Sequence, residues 1–211
     1  MALFSKYLRY RKKGEESHPD DVGRFGEPAH VLFISTNFLS FKQKTNITDA
    51  DGNVVYKART REISIHDTTT ITNAAKEKIA KIEKKIVALS ACHRVTMADG
   101  TQFEIEHELG HLVHDIANID DLGWQLRGDV IGLNFELYDE DGAIIAIVGK
   151  KLVSVTDRYC IFIYQPELEE ELVAVLIALQ HTMRDKRKGS KTGAFVGDVL
   201  LSGASKRRFP F

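Results

Sequence analysis

Three stretches of the chain repeat one pattern, in which two β-rich runs flank a turn that ends in Asp-Gly. The repeated units are 45–56, 93–105 and 135–147. Asp-Gly between alternating runs is a strong hairpin signal, and it predicts a type I′ turn because Gly, Asn and Asp adopt positive φ at low cost. The chain is therefore predicted to form hairpins that lie side by side in one sheet.

A different pattern follows the third unit. Residues 172–179 are eight consecutive apolar residues, with Pro166 and several glutamates before them and basic residues after them. This charge order suits the helix dipole and predicts a helix over 168–184 that Gly189 ends. A helix that is apolar on every side must be buried all round. The sheet is therefore expected to curve into a mainly β, closed or nearly closed barrel around this helix, with residues such as Leu176 in its core.

Length and composition indicate one domain. The chain has 211 residues, of which 43% are hydrophobic, enough for one sizeable core. The domain is predicted to span 31–185, after a polar basic segment and linker at 1–30 and before a basic tail at 186–211. Cys92 and Cys160 lie inside apolar runs and are expected to be buried thiols in a reducing compartment.

The sequence predicts a cytoplasmic protein without a transmembrane segment. The apolar run of residues 172–179 is far shorter than the ~20 residues that a membrane-spanning helix needs. The first residues show no apolar stretch of signal-peptide length. Peripheral contact with a membrane stays compatible with both observations.

Charge is unevenly distributed although the net charge is −1. Residues 1–30 carry six basic and five acidic groups, and residues 186–211 carry seven basic groups and one acidic group, so the body of the chain is acidic. Basic and aromatic residues occur together at 4–13 and 206–211, which suits reversible contact with an anionic surface. Nucleic acid is disfavoured as a partner because the acidic body shows no aromatic stacking platform among basic groups.

His107-Glu-Leu-Gly-His111 matches the H-E-x-x-H pattern of zinc hydrolases, in which two histidines bind the metal and Glu108 activates a water. The surrounding residues fit an amphipathic helix and an alternating strand equally well. In a strand the two histidines would lie ~13 Å apart, too far to share one zinc ion. The expected third ligand is also missing, since position 117 is Ala. The favoured interpretation is therefore solvated or hydrogen-bonded histidines, and zinc hydrolysis is the alternative.

Other signatures point to neither a cofactor nor an enzyme. The patterns G-x-x-x-x-G-K-[ST], G-x-G-x-x-G and G-x-S-x-G do not occur, which removes the common nucleotide-binding and serine-hydrolase motifs. The Asp-x-Asp-Gly turns are not followed by Gly at the sixth and Glu at the twelfth position, as a calcium-binding loop would require. The sequence therefore predicts no cofactor.

The third unit with its sequel, 133–159, and the helix after it resemble the LURP-one-related group of the tubby C-terminal-like superfamily. The first unit, 38–67, is similar, and Lys84-Lys-Ile-Val-Ala-Leu-Ser90 occupies the same place in the second unit as Lys150-Lys-Leu-Val-Ser-Val155 in the third. The likeness covers roughly 31–185. It implies a twelve-stranded β-barrel around a central hydrophobic helix, the fold also used by phospholipid scramblases.

The resemblance also implies a non-enzymatic binding module. Tubby proteins bind phosphoinositide head groups through basic side chains on the barrel surface, so anionic phospholipids are the implied ligands, with an unknown protein partner as another possibility. The tubby lipid-binding residues have no recognisable counterparts in this sequence. A local basic cluster of Lys150, Lys151 and Arg158 is the candidate lipid-binding site.

Overall fold

The computed structural model of the protein describes residues 25–35, 44–61, 67–87, 90–106, 116–130, 134–151 and 158–202. These residues form twelve β-strands and one long α-helix, α1 (Glu169–Ser202). The strands are β1 (His30–Ser35), β2 (Lys44–Thr48), β3 (Val54–Arg61), β4 (Thr68–Asn73), β5 (Lys78–Val87), β6 (Ser90–Met97), β7 (Gln102–Glu106), β8 (Ile116–Ile119), β9 (Trp124–Asp129), β10 (Asn134–Tyr138), β11 (Ile144–Lys151) and β12 (Arg158–Ile163).

The strands form one antiparallel sheet that curves into a nearly closed barrel. Their order is β7-β6-β5-β4-β3-β2-β1-β12-β11-β10-β9-β8, so β1 and β12 pair in the middle and β7 and β8 are the edges. The edges approach each other without a strand ladder: the backbone N–H of Glu104 on β7 donates to Asp121 Oδ2 in the turn after β8, at 2.9 Å. The prediction of a mainly β barrel is confirmed.

Helix α1 fills the interior of the barrel. Every residue from Leu172 to Leu179 is at most 2% exposed, and these side chains pack against inward-facing residues of the strands. The predicted core positions Val173, Leu176 and Ile177 are therefore confirmed. Alternation in each strand explains the fit, because successive side chains point to opposite faces and one face of each strand is apolar.

The three Asp-Gly turns are real, but the predicted type I′ geometry is wrong. Gly52, Gly100 and Gly142 have positive φ, whereas the preceding Asp residues do not. In the third turn the N–H of Gly142 donates to the Asp139 carbonyl at 3.0 Å, and the Asp139 N–H donates to the Ala143 carbonyl at 3.0 Å. This is a three-residue loop, in which a type I turn is followed by a glycine in the left-handed region.

A fourth turn has the same construction with a different sequence. Between β4 and β5, the N–H of Lys76 donates to the Asn73 carbonyl, and Asn73 Oδ1 accepts from the Glu77 N–H, both at 3.0 Å. Lys76 takes the left-handed position with φ 68°, where the other turns have Gly. The four turns are thus more regular in structure than in sequence. In three of them an Asn or Asp side chain at the first position caps the loop amides. In the second turn the first position is Met97, and Asp99 Oδ1 accepts from the Thr101 N–H instead.

Some boundaries differ from the sequence predictions. Strand β8 lies in a stretch whose sequence fits a helix and a strand equally well. The sequence pattern also predicts separate strands at 78–83 and 86–90, but these runs are mainly one strand, β5, and Ser90 begins β6. Helix α1 continues through Gly189, Gly193 and Gly197 to Ser202 instead of ending at Gly189, since each Gly costs a helix only about 1 kcal/mol. The sequence pattern predicts two further strands at 62–65 and 152–155, which lie outside the described residues.

The barrel also has a small apolar cluster on its outside, where β1, β12 and β11 adjoin. It consists of Phe33, Ile147, Cys160 and Phe162, called here the outer apolar face. The register places Phe33 opposite Cys160 and Ile147 opposite Phe162. Both cysteines are free and buried, as predicted.

Candidate functional site

Polar and charged side chains are buried where α1 passes the ends of β4, β5 and β6. The imidazoles of His93 on β6 and His181 on α1 are stacked, with ring centroids 5.6 Å apart. His181 Nε2 is 2.8 Å from Thr69 Oγ1, and His93 Nδ1 is 3.2 Å from Thr182 Oγ1. The pair therefore joins the helix to two strands.

Two ion pairs lie beside the histidines. Lys84 Nζ is 2.7 Å from Asp185 Oδ2, and Arg184 pairs with Asp67 at the start of β4. Burial alone would raise the pKa of Asp185, but neighbouring His93 and Lys84 outweigh it and hold that pKa below its usual range. Burial, with a smaller contribution from His93, lowers the pKa of His181 to about 3. His181 is therefore neutral at physiological pH. The positive charges of Lys84 and Arg184 are matched by the carboxylates of Asp185 and Asp67.

A smaller polar group fixes the N-terminal end of the helix. Glu169, the first residue of α1, accepts a hydrogen bond from Tyr56 Oη at 2.7 Å and lies 2.6 Å from His30 Nδ1. Burial, reinforced by this carboxylate, raises the pKa of Tyr56. Both buried polar groups connect α1 to strands, and we interpret them as structural.

The exposed candidate site is a row of cations on the outside of β2 and β3. Lys57, Arg59 and Arg61 alternate along β3 with residues that face the barrel interior, and all three are exposed. Lys44 on β2 is also exposed and lies directly opposite Arg59. We call Lys44, Lys57, Arg59 and Arg61 the cationic face.

The charges of the cationic face are uncompensated. Within the described residues, none of its four side chains forms an ion pair, whereas other cations of the same sheet do: Lys81 pairs with Glu83, and Arg94 pairs with Glu104. The cross-strand neighbours of the β3 cations on β4 are Thr68, Thr70 and Thr72. Like charges directly opposite each other in a sheet are destabilising, so the Lys44–Arg59 pair would be relieved by a bound anion.

The spacing of the cationic face suits an anion with several oxygens or an array of anions. Alternate residues of one strand are ~6.6 Å apart, and neighbouring strands are ~4.8 Å apart. Cations at these distances can contact one phosphate group together or neighbouring phosphates on a surface. The threonine hydroxyls beside them add hydrogen-bond donors.

The register separates the three residues that the sequence predicted as a basic cluster. Lys151 on β11 lies opposite Arg158 on β12, while Lys150 lies opposite Tyr159. Consecutive strand positions belong to opposite faces, so the Lys150 position does not share a face with the other two. Their side chains lie outside the described part of the structure, and the lipid-binding role of this cluster stays a prediction.

The H-E-x-x-H segment also lies outside the described residues. Strand β7 ends at Glu106, immediately before His107, and the described chain resumes at Ile116. In the part of the chain that the structure does describe, no three His, Cys, Asp or Glu side chains are grouped to hold a metal ion.

Sequence reasoning missed the cationic face, although the signal is present. Val54-Val-Tyr-Lys-Ala-Arg-Thr-Arg61 has a cation at every second position, and period-two alternation places such residues on one face of a strand. The missing information was the partner strand, because only the register shows that Lys44 joins the same row.

Among the described residues, no helix is both long enough and apolar enough to cross a membrane.

Comparison with known proteins gives the family. The chain is 26% identical over 148 residues to the uncharacterised protein YxjI of Bacillus subtilis, covering 70% of this chain and 89% of that protein. An Arabidopsis thaliana protein of known X-ray structure is 15% identical, with a TM-score of 0.45 over 72% of this chain and 93% of its own. The family profile of LURP-one-related proteins matches residues 30–180. The chain therefore belongs to the LURP-one-related family.

Proposed function

We propose that the protein is a non-enzymatic binding module whose cationic face binds the head groups of anionic phospholipids. The observation that carries this proposal is the row of four exposed cations on β2 and β3, which form no ion pair with any described residue, in a chain whose body is otherwise acidic. Each cation near an anionic membrane surface contributes about 1 kcal/mol. Four cations on a rigid sheet therefore suffice for reversible binding.

Because the interior of the barrel is filled, a binding site on its outside is favoured. Helix α1 occupies the space where other β-barrels hold a small ligand, and its residues from Leu172 to Leu179 are buried. The ligand is accordingly expected on the outside of the sheet, where the cationic face lies. The basic segments at 1–30 and 186–211 would add long-range attraction to the same anionic surface.

The test is vesicle sedimentation with the full chain. Binding is measured to phosphatidylcholine vesicles with and without phosphatidylserine, for the wild type and for the double variant Lys57→Gln/Arg59→Gln. Removing two cations should weaken binding to the anionic vesicles about 30-fold, since about 2 kcal/mol is lost. Neutral vesicles should bind none of these proteins appreciably.

A matched control removes two cations elsewhere. Lys76 and Arg127 are exposed and do not belong to the row of cations on β2 and β3, and Asn tolerates the left-handed φ of Lys76. The variant Lys76→Asn/Arg127→Gln should therefore bind nearly like the wild type. An equal loss of vesicle binding in both variants would show that only net charge matters and would contradict the proposal. Binding of single-stranded RNA at matched salt, without binding of anionic vesicles, would also contradict it.

A further inference from the structure

One end of the barrel collects negative charge. Neighbouring strands of the sheet are antiparallel throughout, so the even-numbered strands β2 to β12 all finish at the same end. The segments that follow these strands are 49–53, 74–77, 98–101, 120–123, 139–143 and 164–168. Each of these segments contains at least one Asp or Glu, and Lys76 is the only Lys or Arg in them. We call this end of the barrel the acidic end.

Contacts between these segments show that their charges are close together. Asp139 Oδ2 accepts from Gln165 Nε2 at 2.8 Å, which joins the third Asp-Gly turn to the chain just before α1. Burial raises the pKa of Glu170 in the first turn of α1, and the negative charges of the adjacent glutamates and then of Glu77 and Asp99 raise it further. The turns and the start of α1 therefore share one region of negative potential.

The β2–β3 hairpin connects this acidic end to the cationic face. Its turn carries Asp49 and Asp51. Its open end, where β2 begins and β3 ends, carries three of the four cations of the cationic face, Lys44, Arg59 and Arg61. Arg61 is seven positions after the first residue of β3, a distance of ~23 Å at ~3.3 Å per residue. This is about twice the Debye length of ~10 Å at 0.1 M salt.

Helix α1 leaves the barrel at the open end of this hairpin. Arg61 lies opposite Thr68, the first residue of β4. Arg184 of α1 pairs with Asp67, immediately before that residue. The helix continues beyond this ion pair, and its residues 186–191 include four cations and no acidic residue. Positive charge therefore continues past the end of the barrel that is opposite the acidic end.

We infer that the barrel docks end-on to an anionic membrane, with the open end of the β2–β3 hairpin and the exit of α1 towards the lipid head groups and the acidic end directed away from them. This orientation rests on the proposed function and goes beyond it. The cations then contact the head groups, while the carboxylates of the acidic end lie farther from the surface than their repulsion extends. With the barrel lying flat on β2 and β3, the turn at 49–53 would also touch the anionic surface.

Two cysteine variants at opposite ends of β4 test the orientation. Thr68→Cys lies at the open end and Ala75→Cys lies in an exposed turn of the acidic end, and neither substitution changes the charge. Each full-length variant is labelled with a thiol-reactive fluorophore under conditions in which the buried Cys92 and Cys160 of the wild type do not react. The labelled proteins are bound to phosphatidylcholine–phosphatidylserine vesicles that carry a spin label on the head group. The spin label should quench the fluorophore at position 68 several-fold more than the fluorophore at position 75.

A second measurement needs no label. Glu140 and Glu167 are exposed at the acidic end. Near the membrane surface, loss of their two negative charges would strengthen binding about 30-fold. In the end-on orientation, Glu140→Gln/Glu167→Gln should change sedimentation with the same vesicles less than about twofold at 0.1 M salt.

The orientation and the proposed function fail in different ways. Quenching at position 75 that equals or exceeds quenching at position 68 would overturn the orientation, although wild-type binding to anionic vesicles would still support the proposed function. Strengthening well above twofold in Glu140→Gln/Glu167→Gln would overturn the orientation in the same way. A wild type that does not sediment with anionic vesicles would contradict the proposed function and the orientation together.

Discussion

At the scale of single residues, the interior of this barrel is not purely apolar. His93, His181, Asp185 and Arg184 are all at most 8% exposed in their side chains. Each lies near an oppositely charged or hydrogen-bonding group, as buried polar groups must. These contacts join α1 to β4, β5 and β6, so they fix the position of the helix along the barrel axis.

The buried imidazole of His181 predicts that stability depends on pH. Its pKa is about 3 in the folded protein, mainly because of burial, and 6.5 is its ordinary value. As pH falls below 6.5 the unfolded chain takes up a proton that the folded protein does not, so the free energy of unfolding decreases, by about 2 kcal/mol at pH 5. Urea unfolding at pH 7.5 and pH 5 should show this loss in the wild type and much less of it in His181→Gln. Identical pH dependence in the two proteins would show that another group is responsible.

None of these polar contacts was predictable from the sequence. His181 follows the apolar run after one polar residue, Gln180, and a polar pair in this place is typical of the solvated end of a helix. Its burial depends on Thr69 and His93, which are 112 and 88 positions away in the chain. Local patterns identify which residues face a core, but they do not show which two polar residues meet inside it.

At the scale of elements, the hairpin turns are the parts of the structure that the sequence predicts best. In three of the four turns an Asp or Asn side chain at the first position accepts hydrogen bonds from the loop amides, and in all four a residue in the left-handed region closes the loop. The existence of the hairpins therefore follows from local sequence, whereas their type depends on the exact loop length. The wrong type was predicted because Asp-Gly suits both the two-residue and the three-residue loop.

The side chain of Asp139 should contribute more to the free energy of unfolding than that of Asp141 in the same turn. Its Oδ1 accepts from the N–H groups of Asp141 and Ala143 at 3.1 and 2.8 Å, and its Oδ2 accepts from Gln165 Nε2 at 2.8 Å. Asp139→Ala should lower the free energy of unfolding by about 1 kcal/mol, as expected for a capping side chain at a partly exposed site. Asp141→Ala removes an equal charge from the same exposed loop and should cost less than about 0.5 kcal/mol. Chemical denaturation of both variants compares them, and equal effects would assign the role to loop charge instead of hydrogen bonding.

At the scale of the whole molecule, one helix determines the architecture. A run that is apolar on every side needs a partner on every side, and only a curved sheet that surrounds it provides this. The barrel could therefore be expected from residues 172–179 and the hairpins. Strand order follows from consecutive hairpin connections except where β1 pairs with β12 and where the sheet opens between β7 and β8. The close approach of the edge strands β7 and β8 could not be expected from the sequence, because β8 has only four residues and its pairing depends on distant strands.

The uneven charge of the whole molecule gives the last prediction. If the cationic face and the basic tail contact one anionic surface, their contributions to binding should add, since the two sites are far apart in sequence and share no described contact. Lys206→Gln/Arg207→Gln/Arg208→Gln should weaken binding to phosphatidylserine-containing vesicles by up to about 3 kcal/mol without lowering the melting temperature. Combined with Lys57→Gln/Arg59→Gln, the losses should sum, and all differences should vanish in 1 M salt, where the Debye length is ~3 Å. A tail variant that binds like the wild type at low salt would show that the tail does not contact the surface, and a combined loss well below the sum would show that the two regions do not bind together.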